Sequence, residues 1–232
     1  GTVSSRDAAM ASGGGITLVG SAAWTFRSFR NLWMLEELGV PYTHLPCRPR
    51  SREAFEANPF GKIPALRDGD FTMYESAAIN TYLGDKHASL VPAPGSRERG
   101  RYEQLCAATM AELDAALTIH DKHSHGLNSI AAAVDAAQAR FEVGASTLAA
   151  ELLSTGSEYL LDTGFSAADI LFVATLDWAE HPDYQWCTWT EGAAEDTLEK
   201  ANLREYLQRC RARPAYRIAK DKGGWLSNHS RL

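Results

Sequence analysis

The sequence predicts a two-part protein: a small α/β unit of order βαβαββα, then a larger all-α helical bundle. Three observations carry this. Short apolar runs alternate with helix-period segments over residues 16–87, the proline-rich stretch Val91-Pro92-Ala93-Pro94-Gly95-Ser96 follows, and helical periodicity alone fills the rest. The expected boundaries are 1–15 as a small, polar, disordered leader ending Ser12-Gly13-Gly14-Gly15, 16–87 as the α/β domain, 88–96 as a short stiff linker, and 97–232 as the helical domain.

Each element has a local reason. Ile16-Thr17-Leu18-Val19-Gly20 is an apolar run ended by glycine, hence a buried strand. Thr25 to Leu38 keeps the helix period and is apolar on most sides through Phe29, Leu32, Trp33, Leu35 and Leu38, so cover on more than one side is expected. Gly39 and Pro41 close it. Tyr42 to Cys47 is a second strand, and Arg52 to Ala57 a short helix stopped by Asn58-Pro59. Ile63-Pro64-Ala65-Leu66 is a strand that carries a proline. Arg67-Asp68-Gly69-Asp70 signals a hairpin, Phe71-Thr72-Met73 the returning strand, and Glu75 to His87 a helix. Beyond the linker, Tyr102, Leu105, Cys106, Met110, Leu113 and Leu117 form one helical stripe. Ile130, Val134, Ala137, Phe141 and Leu148 form a second, and Leu203, Tyr206, Leu207 and Cys210 a third.

The 232 residues are 45% hydrophobic and 22% charged, enough apolar material for a sizeable core. A net charge of −6 argues against a nucleic-acid partner, which needs a concentrated basic face. The basic run Arg48-Pro49-Arg50-Ser51-Arg52 reads as a solvated loop. Cys47, Cys106, Cys187 and Cys210 show no CxxC pair and no zinc spacing, so they read as reduced thiols in a cytosol-like compartment. The best apolar run, Ile170 to Leu176, falls short of the roughly 18 residues of a membrane span and is flanked by Asp169 and Asp177, so no membrane partner is expected. His120, His123 and His125 have a spacing that does not fit one helix face. They read as a solvated helix end rather than a metal site.

Three places could hold chemistry. Pro64 cannot donate to a strand ladder, so it belongs at an edge, a bulge or a tight turn open to the cis form. A thioredoxin fold places its cis-proline before the third strand, leaving the N–H and C=O of the preceding residue, here Ile63, open to an extended peptide. A plain edge-strand proline is the alternative. Glu75 and Ser76 stand at a helix start, where amides, dipole and hydroxyl can hold a carboxylate while Glu75 holds an ammonium. An α-amino acid head group carries both charges; an ordinary N-cap is the alternative. The turn Gly20-Ser21-Ala22-Ala23-Trp24-Thr25 leads into a helix, where a hydroxyl could stabilise a thiolate or simply cap. A hydrogen bond to a charged group is worth roughly 1.5–3 kcal/mol, enough to lower a thiol pKa from about 8.5 by one or two units.

Five ordered motifs carry a resemblance. Leu35-Glu36-Glu37-Leu38-Gly39-Val40-Pro41-Tyr42, Asn58-Pro59-Phe60-Gly61-Lys62-Ile63-Pro64-Ala65-Leu66 and Tyr74-Glu75-Ser76-Ala77-Ala78-Ile79 resemble the N-terminal domain of cytosolic glutathione transferases. Phe165-Ser166-Ala167-Ala168-Asp169-Ile170 resembles that family's capping-box motif, and Leu203 to Ala219 its C-terminal signature. The resemblance implies that Ile63 before Pro64 pairs with the glutathione cysteine, that Glu75 and Ser76 grip the γ-glutamyl head, and that Lys62 contacts the peptide or stays solvated. It implies that Ser166 and Asp169 form a folding device. By count from Leu35, the thiol-activating position falls on Thr25, resembling the bacterial nu-class pattern. That pattern has Asn two residues on, where this chain has Arg27, and the loop is one residue longer. Ser28 and Ser21 therefore remain rivals, as do backbone amides alone.

The resemblance implies a glutathione transferase that uses the glutathione thiolate on an electrophilic small molecule, a disulfide or a peroxide. Glutathione is then a co-substrate, no metal is needed, and the assembly is a homodimer; the compartment is cytoplasmic by default, with organelle targeting by a removed leader as the alternative. The alternative is a non-catalytic binding or scaffolding module of the same fold. By the same analogy, the aromatic stretch Tyr184-Gln185-Trp186-Cys187-Thr188-Trp189-Thr190 either walls the acceptor pocket or pins a surface loop.

Overall fold

The computed structural model describes residues 15–23, 25–124, 129–182, 184, 186 and 197–229, the last six by backbone only. The expectations placed on residues 1–14, Trp24, His125, Gln185 and 187–190 lie outside the described residues.

The first unit runs β1 (Ile16–Val19), α1 (Ser28–Leu38), β2 (Tyr42–Leu45), α2 (Arg52–Ala57), β3 (Ala65–Asp68), β4 (Phe71–Tyr74) and α3 (Ser76–His87). The strands form one sheet of order β2-β1-β3-β4. β1 pairs parallel with β2 in the register Ile16↔Tyr42 to Val19↔Leu45, and antiparallel with β3. β3 and β4 make the hairpin, with Gly69 at φ 63° in its turn. This is the thioredoxin-like arrangement that the element order implied. Val19, Ala57 and Ala65 pack together beneath Leu45, Cys47 and Tyr74, seating α2 on the sheet.

α1 begins at Ser28, not at Thr25. Residues 25–27 are spent in turns, with Phe26 N–H donating to Ala23 C=O at 3.0 Å and Phe29 N–H to Phe26 C=O at 3.0 Å. Every residue from Ser28 to Leu35 is buried, which fits a helix covered on several sides. Part of that cover is α9 (Pro214–His229), which groups compactly with the sheet unit while residues 84–214 form the other unit. Tyr216 stands edge-on to Trp33 at 4.8 Å and to Phe29 at 5.9 Å. Lys222 Nζ donates to Glu36 Oε1 at 2.5 Å and to the Tyr42 hydroxyl at 2.9 Å. The Tyr42 hydroxyl in turn donates to Glu36, and burial, with Glu36 beside it, pushes the phenol up to about 12, so it stays protonated. Periodicity marks residues 97–232 as helical and shows that a helix is apolar on one face, but not which surface covers that face.

The second unit holds α4 (Arg97–Ala108), a π-helical segment (Thr109–Asp114), α5 (Ala115–His123), α6 (Ala131–Thr155), α7 (Ala167–Ala179) and α8 (Leu198–Arg211). Residues 88–96 fold back rather than extend: a Cβ on Gly84 would meet Val91 Cγ2 at 2.2 Å. Arg99 fixes that turn with two bonds to Asp85 and one to the Pro92 carbonyl. Ile130 is exposed, at 51%, and precedes α6 instead of opening its stripe.

α7 is buried along its whole length and starts in a capping box. Ser166 Oγ accepts from Ala168 N–H at 3.3 Å, while Asp169 Oδ2 accepts from Ser166 N–H at 2.8 Å and from its hydroxyl at 2.9 Å. Asp169 Oδ1 takes Leu160 N–H and the Tyr206 hydroxyl, both at 2.9 Å. Burial pushes this carboxyl up, and those bonds hold it back. Ser166→Ala is expected to cost about 0.5–2 kcal/mol. Asp169→Ala is expected to cost more, roughly 3 kcal/mol, because it also strands a buried N–H and a buried phenol. The drop in urea midpoint for each variant checks both.

Candidate functional site

Gly20 is the point where the site is assembled. A Cβ there would stand 2.9 Å from Ser28 Cβ, 3.1 Å from Ser28 Oγ and 3.4 Å from Ile63 Cβ. The start of α1 and the turn before β3 therefore meet across the end of β1, and only a residue without a side chain lets them. Gly20 N–H donates to Leu45 C=O at 3.1 Å, and His44 Nε2 lies 2.8 Å from Gly20 C=O, so β2 pins the same residue.

The three candidate hydroxyls differ in what they already do. Ser28 is fully buried and donates to the Ser21 carbonyl at 2.5 Å. Ser21 Oγ accepts from Ala23 N–H at 3.2 Å, closing a local turn. Thr25 is half-buried, and among the described residues its hydroxyl makes no hydrogen bond.

The Ile63–Pro64 bond is cis. Asn58 shapes the approach to it: its Nδ2 donates to Lys62 C=O at 3.0 Å and its Oδ1 accepts from Phe60 N–H at 3.0 Å. Gly61 has φ 60°, a conformation that favours glycine, and the exposed Phe55 ring lies 2.6 Å from where a Cβ would be. Ile63 is buried, and its N–H and C=O enter no hydrogen bond among the described residues. Lys62 is exposed, its ammonium 5.9 Å above the Phe60 ring.

Glu75 is exposed and has φ 76°, a left-handed conformation unusual for a residue with a side chain. Such an outlier costs of order 1–3 kcal/mol and points toward function when the surroundings enforce it. Ser76, the first residue of α3, is buried in a polar lattice that sequence reasoning missed. Arg30 Nη1 donates to Ser76 Oγ at 3.2 Å, and Asn31 Nδ2 donates to Ser76 C=O at 2.8 Å and to Asn80 Oδ1 at 2.7 Å. Asn80 Nδ2 returns to Arg30 C=O at 3.4 Å. With Arg30 donating to its oxygen, the Ser76 hydroxyl proton is left to point elsewhere. The signal for it was Arg30-Asn31 within the otherwise apolar stretch Phe29–Leu35.

Among the described residues no group of three His, Cys, Asp or Glu is placed to hold a metal. His120 is buried against Tyr184 and Trp186, at 4.4 and 5.1 Å between ring centres, and is not the solvated helix end expected from its neighbours in sequence. Trp186 is itself buried and also touches Phe141. Burial pushes the Cys47 and Cys210 thiols up, and the Cys106 thiol to about 12, so none of the three is a poised nucleophile. None of the described helices is long and apolar enough to cross a membrane.

A thioredoxin-like unit with a cis-proline turn and a helical unit together make a fold that solved glutathione transferases also show. Residues 27–86 match the family described as Glutathione S-transferase, N-terminal domain. A glutathione S-transferase of Hypomyces subiculosus is 40% identical over 101 residues, 40% of this chain and 46% of that protein. The dichloromethane dehalogenase of Methylophilus leisingeri is 39% identical over 85 residues, 36% of this chain and 31% of that one. The chain thus spans less than half the length of the curated relatives it matches. In fold, a glutathione transferase of Phanerochaete chrysosporium, solved with oxidized glutathione, superposes with a TM-score of 0.78 at 22% identity, covering 92% of this chain and 98% of that one. The chain is thus similar to glutathione S-transferases in sequence over residues 27–86 and to solved glutathione transferases in fold over most of its length.

His44 gives the sheet unit a pH dependence. Burial, more than any other cause, lowers its pKa; the Gly20 bond opposes this, and Lys222 adds to it. The unfolded chain therefore takes up the proton first as pH falls. The stability owed to neutral His44 is present above the ordinary value of 6.5 and is lost as pH drops below it. Thermal midpoints followed across that window should fall more for the wild type than for His44→Gln.

Proposed function

We propose that the chain is an enzyme that binds glutathione on the sheet unit and activates its thiol. The observation that carries this reading is the convergence at Gly20 of the cis-proline turn and the start of α1. In it, the Ile63 N–H and C=O pair with the cysteinyl residue of glutathione as an added strand would. Glu75, held at φ 76° and exposed, takes the γ-glutamyl ammonium. The start of α3 takes the γ-glutamyl carboxylate through main-chain N–H groups and Ser76, whose oxygen Arg30 already engages. Lys62, exposed on the same turn, adds a cation beside the peptide.

Thr25 is the activator in this reading, because its hydroxyl is the one of the three without a hydrogen bond among the described residues. It donates to the thiolate and holds it in the ionised form, while the thiol proton goes to solvent. The sulfur pair then forms a bond to an electrophilic carbon, and the leaving group departs with the bonding electrons. On a disulfide, the same thiolate attacks one sulfur and expels the other; a second glutathione completes the reduction. On a peroxide, the thiolate takes the terminal oxygen as an alkoxide or hydroxide leaves, and a second glutathione releases water and glutathione disulfide. The name of the dichloromethane dehalogenase relative favours a carbon centre with a halide leaving group as the first substrate to try. Exposed Phe60 and Phe71 on the sheet unit offer apolar surface to a second copy, as a homodimer requires.

Glutathione at a hundred times its dissociation constant should stabilise the protein by about 2.7 kcal/mol. Ser76→Ala should weaken glutathione binding by roughly tenfold or more, as loss of a hydrogen bond to a charged group does. Thr25→Ala should lower glutathione-dependent turnover of a chloronitrobenzene or a small disulfide by at least about tenfold while leaving affinity nearly unchanged. A wild type that shows neither a thermal shift nor turnover sinks the catalytic reading and leaves the non-catalytic scaffold in its place.

A further inference from the structure

The terminal helix α9 reaches the candidate thiol-activating loop through a contact that the proposed chemistry does not use. Gly223 is buried in that helix, and a Cβ at this position would stand 2.4 Å from the Ala22 carbonyl oxygen, 3.3 Å from the Ala22 carbonyl carbon and 3.7 Å from Ala23 Cα. All three are backbone atoms, so no rotamer change relieves the clash: the loop or the helix must move. Glycine inside a helix is destabilising relative to alanine, and the close approach supplies a reason for it here.

Two further anchors keep α9 in that place. Lys222, the preceding residue, holds Glu36 and Tyr42. Tyr216 lies edge-on to Trp33 and Phe29. Glu36, Trp33 and Phe29 all belong to α1, so the helix is fixed to the same element that the loop feeds. Within the loop, the Ser28-to-Ser21, Ala23-to-Ser21 and Phe26-to-Ala23 bonds link short turns on both sides of Thr25. Ala22 lies inside the Ser21–Ala23 turn and Thr25 inside the Ala23–Phe26 turn, and the two turns share Ala23.

We infer that Gly223 is a positioning residue for thiol activation: its contact with Ala22 sets where the activating hydroxyl lies relative to the Ile63 turn. The inference rests on reading residues 21–28 as the thiol-activating loop. A displacement of about 1 Å at a reacting group can lower rate by up to a hundredfold. Glutathione affinity is set by Ile63, Glu75 and Ser76, which this contact does not touch.

The test is the pH titration of the bound glutathione thiolate by ultraviolet difference absorption, alongside its dissociation constant and kcat/KM, in wild type, Gly223→Ala, Lys222→Met and Gly100→Ala. Gly100 is the control, since a Cβ there meets nothing within 4 Å. Gly223→Ala should raise the thiol pKa and lower kcat/KM at neutral pH by roughly tenfold to a hundredfold, with affinity within about twofold of wild type. Lys222→Met, which frees the helix without adding bulk, should shift the pKa in the same direction by less, and it decides the matter if Gly223→Ala does not fold. Gly100→Ala should titrate as wild type. A lowered thermal midpoint with an unmoved thiol pKa would show that Gly223 only docks a helix and would overturn the inference. A wild type that binds no glutathione would instead remove the reading beneath it.

Discussion

The backbone crossing at Gly20 is the constraint on which the sheet unit's site depends. β1 lies between β2 and β3, so its last residue is followed by a turn that must clear both the start of α1 and the turn that carries Pro64. A methyl group at Gly20 would push into Ser28 while already touching Ile63. Without that room, the hydroxyl-bearing loop and the Ile63 main chain would be held further apart. The burial of Ser28, the bond from its hydroxyl to Ser21 and the placement of His44 on the Gly20 carbonyl all follow from this close approach.

The second half of the site is held by polar rather than apolar contact. Arg30, Asn31, Ser76 and Asn80 are each nearly inaccessible to solvent, and burial of such groups is costly unless they are paired. Here the hydrogen bonds run between α1 and α3, so the start of α3 is fixed in direction as well as in depth. Apolar packing would tolerate some sliding between these helices. A charged donor on the Ser76 oxygen also adds positive potential at a helix start that already favours an anion.

In the helical unit, one carboxylate plays the corresponding part. Asp169 closes the start of α7, ties the Leu160 main chain and receives the Tyr206 hydroxyl from α8, so three segments meet on two oxygen atoms. The π-helical segment Thr109–Asp114 widens the turn between α4 and α5. The stripe that began at Tyr102 nonetheless continues to buried Leu113 and Leu117.

The sequence by itself determined the element order, the proline before β3, the Glu75–Ser76 step and the Ser166–Asp169 pair, because each is written in residues adjacent or within one helical turn of each other. Local pattern is enough where the physics is local. Tertiary structure alone decided that Gly20 must be glycine, that Arg30 and Asn31 serve α3, that His120 is buried under Tyr184 and Trp186, and that α9 belongs with the sheet. Those depend on partners from 8 residues away, Ser28 beside Gly20, to 201 away, Ala22 beside Gly223. Periodicity shows which face of a helix is apolar, but not which distant surface will cover it. A glycine in sequence looks the same whether it ends a strand or clears a path for two other segments, since the atoms that exclude its side chain come together only in the folded chain.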